Sequence, residues 1–318
     1  MDLAISMQDC EDDRNRGTKG KTTMSKELGR VAFIGLGVMG YPMAGHLAKH
    51  GIAVTAYNRT AAKAEQWLSQ HTDYVECTVA ATPRQAAEAA EVVFMCVGND
   101  DDVRSVALGE DGALAGMRSG ACLVDHTTAS QQLALELATA CSAAGVGFLD
   151  APVSGGQAGA ENAALTIMLG GSEDDYQSVQ PLLDVYAKKT ALMGAVGAGQ
   201  LTKMVNQICI AGVLQGLAEG VHFAQAAGLD VDAVVDVISQ GAAQSWQMNN
   251  RAATMAQGEY GFGFAVDWMR KDLGIALDAG RELEARLPMT ALVDQFYADV
   301  QNMGGGRWDT SSLLRRLS

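Results

Sequence analysis

Lys203 and Asn206 stand three residues apart near the start of a long apolar stretch, so a helix places both side chains on one face. A lysine close to a helix N-terminus opposes the macrodipole, and apolar surroundings disfavour its charged form further. Both effects lower its pKa towards the range that general acid–base catalysis uses. The pair therefore indicates a proton-transfer site, and the alternative is a lysine that extends to solvent.

A glycine-rich stretch gives the second chemical signal, and it directly follows the apolar run 31–34. Its first glycine permits a tight turn, its second lets the backbone approach a pyrophosphate, and its third lets a helix pack closely on the strand. A further apolar run, 52–57, follows where the next strand of such a unit belongs. The pattern predicts a bound dinucleotide rather than a plain glycine turn, with contacts from Gly35, Leu36, Gly37, Val38, Met39 and Gly40.

The residues after the second apolar run bear on the choice of cofactor. Sites for NAD usually carry an acidic residue there, which bonds the ribose 2′-hydroxyl. This chain has Asn58, Arg59 and Thr60 instead. A guanidinium suits a phosphate dianion and stacks on adenine, while an amide and a hydroxyl add hydrogen bonds. We therefore expect NADP(H) to be preferred, with NAD(H) possible; the alternative is a solvated arginine in a loop.

Other polar residues stand where apolar runs end. Val97 ends the apolar run 91–97 and Gly98 follows it, at a loop that is expected to cover a cofactor. Ser154 precedes two glycines, Gly155 and Gly156, after the run 147–150. A hydroxyl beside bare backbone N–H groups is suited to a small anion, and an ordinary turn is the alternative. Locally, His126 is interpreted as structural. By spacing alone Asp267 and Lys271 form a surface pair, and Trp246 and Asn249 are a packed aromatic and a capping or turn residue.

The elements that must position these residues fall into two groups. Short apolar runs alternate with helical stretches over 30–192, which predicts a doubly wound parallel sheet with its ligand crevice at the carboxyl ends of the strands. Helical patterns follow at 200–227, 231–238, 268–283 and 290–303, with no strand pattern among them. The fold class is therefore α/β, with an N-terminal Rossmann domain over 29–193 and an all-α substrate and oligomerisation domain over 194–318. Residues 1–28 are polar and of mixed charge, and we expect disorder there.

Composition excludes several classes of partner. The formal net charge of −14 argues against nucleic acid, whose phosphates require basic surfaces. No apolar run approaches the roughly 18 residues of a membrane helix, so no membrane partner is expected. Six scattered cysteines without a Cys-x-x-Cys pair predict reduced thiols in a reducing, cytoplasmic compartment, and the five histidines lack metal-site spacing, so no metal is expected.

Together these blocks resemble the β-hydroxyacid dehydrogenases, and the resemblance runs from residue 30 to about 317. It rests on the glycine stretch with Pro42 and Met43, the 150–156 loop, the helix start at 197–207, and Lys271 with Asp272. The resemblance implies an NADP-dependent reductase of small carboxylate-bearing aldehydes or ketones, running reversibly as a 3-hydroxyacid dehydrogenase. It also implies a homodimer or homotetramer, and the apolar circumference of the long helix agrees with this.

The resemblance further implies roles for individual residues. Lys203 falls on the general acid that protonates the carbonyl oxygen, and Asn206 on an asparagine that holds the substrate. Ser154, Gly155 and Gly156 fall on the loop for the substrate carboxylate. Gln207, which stands where some relatives have asparagine, is expected to bind the substrate together with Lys203 and Asn206. Lys271 falls on a lysine that reaches the cofactor, and Thr128 on a threonine beside the nicotinamide ribose. Two alternatives stay open: an imine reductase, whose members usually carry aspartate or tyrosine at the lysine position, and a non-catalytic NADP-binding scaffold.

Overall fold

The computed structural model describes residues 29–74 and 76–317, so the predicted disorder of residues 1–28 lies outside the described residues. A six-stranded parallel sheet forms the N-terminal part, in the order β3-β2-β1-β4-β5-β6. Its strands are β1 Arg30–Ile34, β2 Ala53–Tyr57, β3 Thr78–Val79, β4 Val92–Met95, β5 Cys122–Asp125 and β6 Gly147–Asp150.

Helices cover both faces of this sheet, which is why its strands are apolar at nearly every position. Val31 and Phe33 of β1 pack into one core cluster, and Ala32 and Ile34 pack into another on the opposite face. The helices of this part are α1 Gly40–Lys49, α2 Ala61–Ser69, α3 Pro83–Ala87, α4 Asp100–Leu108, α5 Gln131–Ala143, α6 Gly156–Glu161 and α7 Glu173–Leu183. The doubly wound parallel sheet predicted from the alternation is thereby confirmed.

The last strands of this part form a separate sheet, which the alternation did not predict. It contains β7 Val153–Ser154, β8 Leu165–Leu169 and β9 Ala187–Leu192, with β7 antiparallel and β9 parallel to β8. The chain leaving β6 pairs antiparallel with the end of β8, because Asp150 and Gly170 exchange backbone hydrogen bonds. Strand β8 therefore runs against β6 and does not extend the parallel sheet. Apolar composition is the same in both arrangements, so the sequence pattern does not separate them.

The remainder of the described chain is helical, as predicted. It contains α8 Ala198–Ala226, α9 Val231–Ile238, α10 Trp246–Gln257, α11 Val266–Glu282, α12 Pro288–Asn302 and a 3₁₀ segment Thr310–Arg316. Helix α10 was not predicted, and the interpretation of Trp246 as a packed aromatic and Asn249 as a cap or turn is wrong. Ser245 is the cap, since its hydroxyl accepts from the backbone N–H of Met248, and Trp246 is 53% exposed.

Helix α8 is the central element of the helical part. By length and composition it is the one helix among the described residues that is apolar enough to span a membrane, although no such run was expected from the sequence. Its buried face nevertheless carries Gln200, Lys203, Gln207 and Gln215. It packs on α10, α11, α12 and the 3₁₀ segment.

Candidate active site

The glycine turn between β1 and α1 lies at the carboxyl edge of the sheet, and each glycine has its own physical reason. Gly35 has a φ of +95°, and its N–H donates to the carbonyl of Tyr57 at 2.9 Å. A Cβ on Gly40 would lie 1.9 Å from the carbonyl oxygen of Gly35, so strand and helix meet too closely for a side chain. A Cβ on Gly37 would meet no described atom within 4 Å, which leaves that backbone open to a ligand.

The residues after β2 border this turn, but they do different things. Asn58 is committed to the protein, because its Oδ1 accepts from the N–H of Leu36 at 3.0 Å and its Nδ2 donates to the carbonyl of Thr60. Arg59 has an 84% exposed side chain, and its Nη1 lies 3.0 Å from Oδ1 of Asp102. The guanidinium is therefore accessible to a phosphate, and Thr60 beside it is exposed as well and makes no side-chain capping bond to α2.

Lys203 is buried, so the alternative of a lysine that extends to solvent is wrong. Its Nζ donates to the carbonyl of Val153 at 2.9 Å, directly before Ser154. Burial lowers the pKa of Lys203, and neighbouring Lys271 adds to that effect, while Asp272 opposes it. The lowered pKa predicted from the helix position is present, and its largest cause is desolvation.

The loop after Val153 bears the two glycines that were predicted to bind an anion. Ser154 is half-buried in β7, and its two glycine neighbours are exposed. Gly155 and Gly156 have φ values of +129° and +61°, which a residue with a side chain adopts only with strain. The loop therefore presents backbone beside the lysine rather than side chains.

Asp272 is a site residue that the sequence interpretation missed as a functional group. Its side chain is buried, with Oδ2 accepting from Nε2 of Gln207 at 2.7 Å and Oδ1 in an ion pair with Nζ of Lys271 at 3.2 Å. Asn206 donates in turn to Oε1 of Gln207 at 2.8 Å. Burial raises the pKa of Asp272, while Lys271, Lys203 and the Gln207 hydrogen bond lower it. The sequence did carry a signal for this role, because helical spacing places Asp272 on the same face of α11 as the apolar residues Met269 and Leu273, and that face is buried.

Lys271 does not form the surface pair with Asp267 that local spacing favours. Asp267 instead accepts from Gln301, and the Lys271 ammonium donates to the backbone carbonyls of Gly98, at 3.1 Å, and Thr128. These carbonyls follow β4 and β5, so α11 contacts the edge of the sheet where a cofactor was predicted. Beside them, the N–H of Val97 donates to the Thr127 hydroxyl at 3.0 Å.

The start of α8 is joined to the sheet by two buried side chains that sequence reasoning did not assign. The Asp150 carboxylate accepts from the N–H groups of Gly197 at 2.7 Å and Gln200 at 2.8 Å, which caps the helix from another element. The Gln200 amide accepts from the N–H of Ala129 and donates to the carbonyl of Thr127. Lys203 is one turn further along, so these contacts fix its backbone against the ends of β5 and β6.

His126 is structural, as expected. Its Nδ1 lies 2.7 Å from the carbonyl of Ala151 and must donate, so Nε2 accepts from the hydroxyl of Tyr186 at 2.9 Å. Burial lowers the pKa of His126 to about 4. Among the described residues no group of three or more histidine, cysteine or acidic side chains is arranged to hold a metal ion.

The buried carboxyl of Asp125 should make the free energy of unfolding depend on pH. Burial raises the pKa of its carboxyl to about 7, against which hydrogen bonds from Thr127 act, and nearby Asp150 raises it further. A carboxyl whose pKa is raised on folding contributes stability that is complete below its unfolded pKa and is lost as pH rises through the folded value. We expect the free energy of unfolding of the wild type, relative to Asp125→Asn, to fall by about 2–3 kcal/mol between about pH 5 and pH 8.

Urea denaturation at the two pH values measures this difference. Asp174→Asn, at an exposed position in the first turn of α7, is the matched control and should show a much smaller change. A difference between Asp125→Asn and wild type that does not vary with pH would contradict the assignment.

Comparisons with known proteins agree with this arrangement. A family model described as the NAD binding domain of 6-phosphogluconate dehydrogenase matches residues 30–197, and one described as the NAD-binding of NADP-dependent 3-hydroxyisobutyrate dehydrogenase matches 197–317. An uncharacterized oxidoreductase of Shewanella frigidimarina is 62% identical over 91% of this chain and 98% of its own length. A probable 3-hydroxyisobutyrate dehydrogenase-like 1, mitochondrial, of Arabidopsis thaliana is 40% identical over 91% and 85%.

A solved structure with the same architecture is the Mycobacterium tuberculosis 3-hydroxyisobutyrate dehydrogenase with L-serine. It superimposes with a TM-score of 0.81 at 29% sequence identity, covering 91% of this chain and 99% of that one.

Proposed function

Because this chain belongs to the β-hydroxyacid dehydrogenase family and is an oxidoreductase of hydroxyacids, we propose that it interconverts a small carboxylate-bearing aldehyde or ketone and its 3-hydroxyacid with NADP(H). The observation that carries this proposal is the buried ammonium of Lys203. It is held by the carbonyl of Val153 and balanced by Asp272, next to a glycine loop suited to a carboxylate.

The residues at the sheet edge fit a nicotinamide dinucleotide. The open backbone at Gly37 and the first turn of α1 suit a pyrophosphate, and the exposed guanidinium of Arg59 suits a 2′-phosphate. On this proposal Val97, Gly98, Thr128 and Lys271 border the nicotinamide end. The cofactor supplies hydride chemistry when bound; the protein supplies positioning and the proton.

The chain's own residues then divide the remaining work. Ser154 and the backbone of Gly155 and Gly156 bind the substrate carboxylate and so fix the distance to its carbonyl group. Lys203 donates a proton to the carbonyl oxygen during reduction and accepts it back during oxidation. Asn206 orients that oxygen. Gln207 supports Asn206 and Asp272 rather than binding substrate itself, because its amide is committed to both.

Side-by-side oxidation of NADPH and NADH against a substrate panel tests the proposal. The panel contains glyoxylate, succinic semialdehyde, methylmalonate semialdehyde, tartronate semialdehyde and one cyclic imine. Turnover of an acid, with NADPH favoured at least about tenfold, is the expected result. Turnover of the imine alone would move the protein to the imine reductase alternative, and NADPH binding without any turnover would move it to the scaffold alternative.

Arg59→Ala is expected to weaken NADPH binding by about 10- to 100-fold and to change NADH binding less than about twofold. A charge-assisted hydrogen bond contributes about 1.5–3 kcal/mol, and only NADPH carries the phosphate that receives it. Titration of each nucleotide by intrinsic fluorescence measures both constants. Arg118→Ala is the matched control, since Arg118 pairs with Glu91 at the amino edge of the sheet. Equal weakening of both nucleotides would contradict a phosphate contact.

We extend the proposal to a homo-oligomer built on α8. One side of this helix leaves an apolar stripe exposed, including Val205 at 61% and Phe223 at 71%, with Val213 and Gly216 between them. A chain of net charge −14 associates with its own copy most readily through uncharged surface. An apolar helix face of this kind is suited to a second copy of the same face across a two-fold axis.

Val213→Glu is expected to shift the protein towards the 33.3 kDa monomer in light scattering at micromolar concentration, because it places two like charges at the centre of that contact. Gln225→Glu adds the same charge at an exposed position elsewhere on α8 and should leave the mass unchanged. A wild-type protein that is already monomeric would overturn the oligomer proposal.

A further inference from the structure

The ion pair between Arg59 and Asp102 crosses the dinucleotide crevice. Arg59 follows β2 and Asp102 lies in the first turn of α4, after β4. In the sheet order, β1 with its glycine turn lies between those two strands. A contact of 3.0 Å between Nη1 of Arg59 and Oδ1 of Asp102 therefore spans the carboxyl end of β1, above the turn that a dinucleotide must approach.

Asp102 is the better anchored member of this pair. Its N–H donates to the side chain of Asn99 at 2.9 Å, and its Oδ2 lies 2.4 Å from where a Cβ on Gly98 would stand. The Asp102 side chain is 31% exposed, against 84% for Arg59. The carboxylate thus lies close against Gly98 in the loop after β4 and is the less exposed partner, so the guanidinium is the partner that a ligand would displace.

We propose that Asp102 is a specificity-determining residue, which competes with the 2′-phosphate of NADP(H) for Arg59 and so reduces the preference for NADP(H) over NAD(H). This inference rests on the proposed NADP(H) dependence. An arginine fork that binds a phosphate dianion must first release its carboxylate, and the remaining carboxylate then repels the phosphate. NAD(H) has no 2′-phosphate, so neither cost applies to it.

Asp102→Asn tests the inference with Asp101→Asn as the matched control. Both changes remove one negative charge from the first turn of α4, but Asp101 pairs with Arg104, which also pairs with Glu136 of α5, and Arg59 pairs with Asp102. Dissociation constants for NADPH and NADH are measured on the whole chain. We expect Asp102→Asn to bind NADPH about three- to tenfold more tightly with NADH within about twofold, because exposed pairs have small individual effects. Asp101→Asn should leave both constants within about twofold of wild type.

A double-mutant cycle with Arg59→Ala separates competition from general repulsion. If Asp102 acts through Arg59, most of the gain in NADPH affinity from Asp102→Asn disappears in the Arg59→Ala background. An equal gain in both backgrounds would overturn the competition, and so would an equal gain from Asp101→Asn.

Nucleotide binding by the wild-type protein distinguishes failure of this inference from failure of the proposed function on which it rests. Wild-type protein that binds NADPH, combined with an Asp102→Asn variant of unchanged preference, would overturn the inference alone. Wild-type protein that binds neither nucleotide would overturn the proposed function as well. Asp102→Ala should change NADPH affinity in the same direction as Asp102→Asn. Agreement between the two variants would show that the gain comes from loss of the carboxylate and not from new hydrogen bonds of the asparagine amide.

Discussion

Lys203→Ala is expected to lower kcat for carbonyl reduction by about 10²–10⁴-fold, the usual contribution of a positioned proton donor. The dissociation constant for NADPH should stay within about twofold, because the nearest polar contact of Lys203 is the carbonyl of Val153 and not the glycine turn. Lys203→Met, which retains more of the buried volume, should show the same loss of turnover with less effect on stability.

The pH dependence sharpens this prediction. Reduction needs protonated Lys203, so the wild-type rate should fall as pH rises through the lowered pKa of this lysine, and oxidation, which needs the neutral amine, should rise over the same range. Both limbs should be absent from the residual activity of Lys203→Ala. Lys189→Ala, at an exposed lysine of β9, is the control. Retention of more than about a tenth of wild-type kcat would mean that the proton comes from another group.

The second prediction concerns Asp272→Asn, which keeps the side-chain shape but removes the negative charge between two lysines. The Asp272 carboxylate favours the protonated form of Lys203, so its loss should lower the pKa of Lys203 further. The pH at which the reductive rate falls should therefore move to a lower value, and kcat at neutral pH should drop by about tenfold.

Stability should change in the same variant. Lys271 loses its ion-pair partner while its ammonium stays largely buried, and breaking a buried pair from one side costs about 3–5 kcal/mol when the other charge is left uncompensated. The Lys271 ammonium keeps its two carbonyl acceptors, so we expect a smaller loss, about 1–3 kcal/mol, in urea denaturation.

Asp278→Asn is the matched control for both measurements. Asp278 is exposed on the same helix and pairs with Arg281. An Asp272→Asn enzyme with lower stability but an unshifted pH limb would show that Asp272 supports the fold only. A shifted limb together with the drop in kcat would place Asp272 among the groups that set the protonation of Lys203.

Several features of the site were readable from sequence because the physics behind them is local. The glycine turn is recognisable since a positive φ at Gly35 and the close approach at Gly40 require those residues within six positions. The place of Lys203 near the start of an apolar helix predicted a lowered pKa, and the direction agrees, with burial as the largest cause. Alternation of apolar runs with helical stretches predicted the doubly wound sheet for the same reason, because each period spans only a few residues.

Tertiary structure alone decided which distant groups meet. Asp150 accepts from a capping N–H 47 residues later, Lys271 donates to a carbonyl 173 residues away, and Arg59 pairs with Asp102 across 43 residues. These contacts depend on strand order and on the packing of α11 against the sheet. Neither produces a repeating residue pattern that could be recognised in the sequence. Desolvation likewise depends on what surrounds a side chain in space. Local sequence patterns therefore predicted the parallel sheet, most of the long helices and the kinds of chemistry, but not helix α10 or the second sheet. The fold decides which charges are buried together, and so which of them can act on a proton or a phosphate.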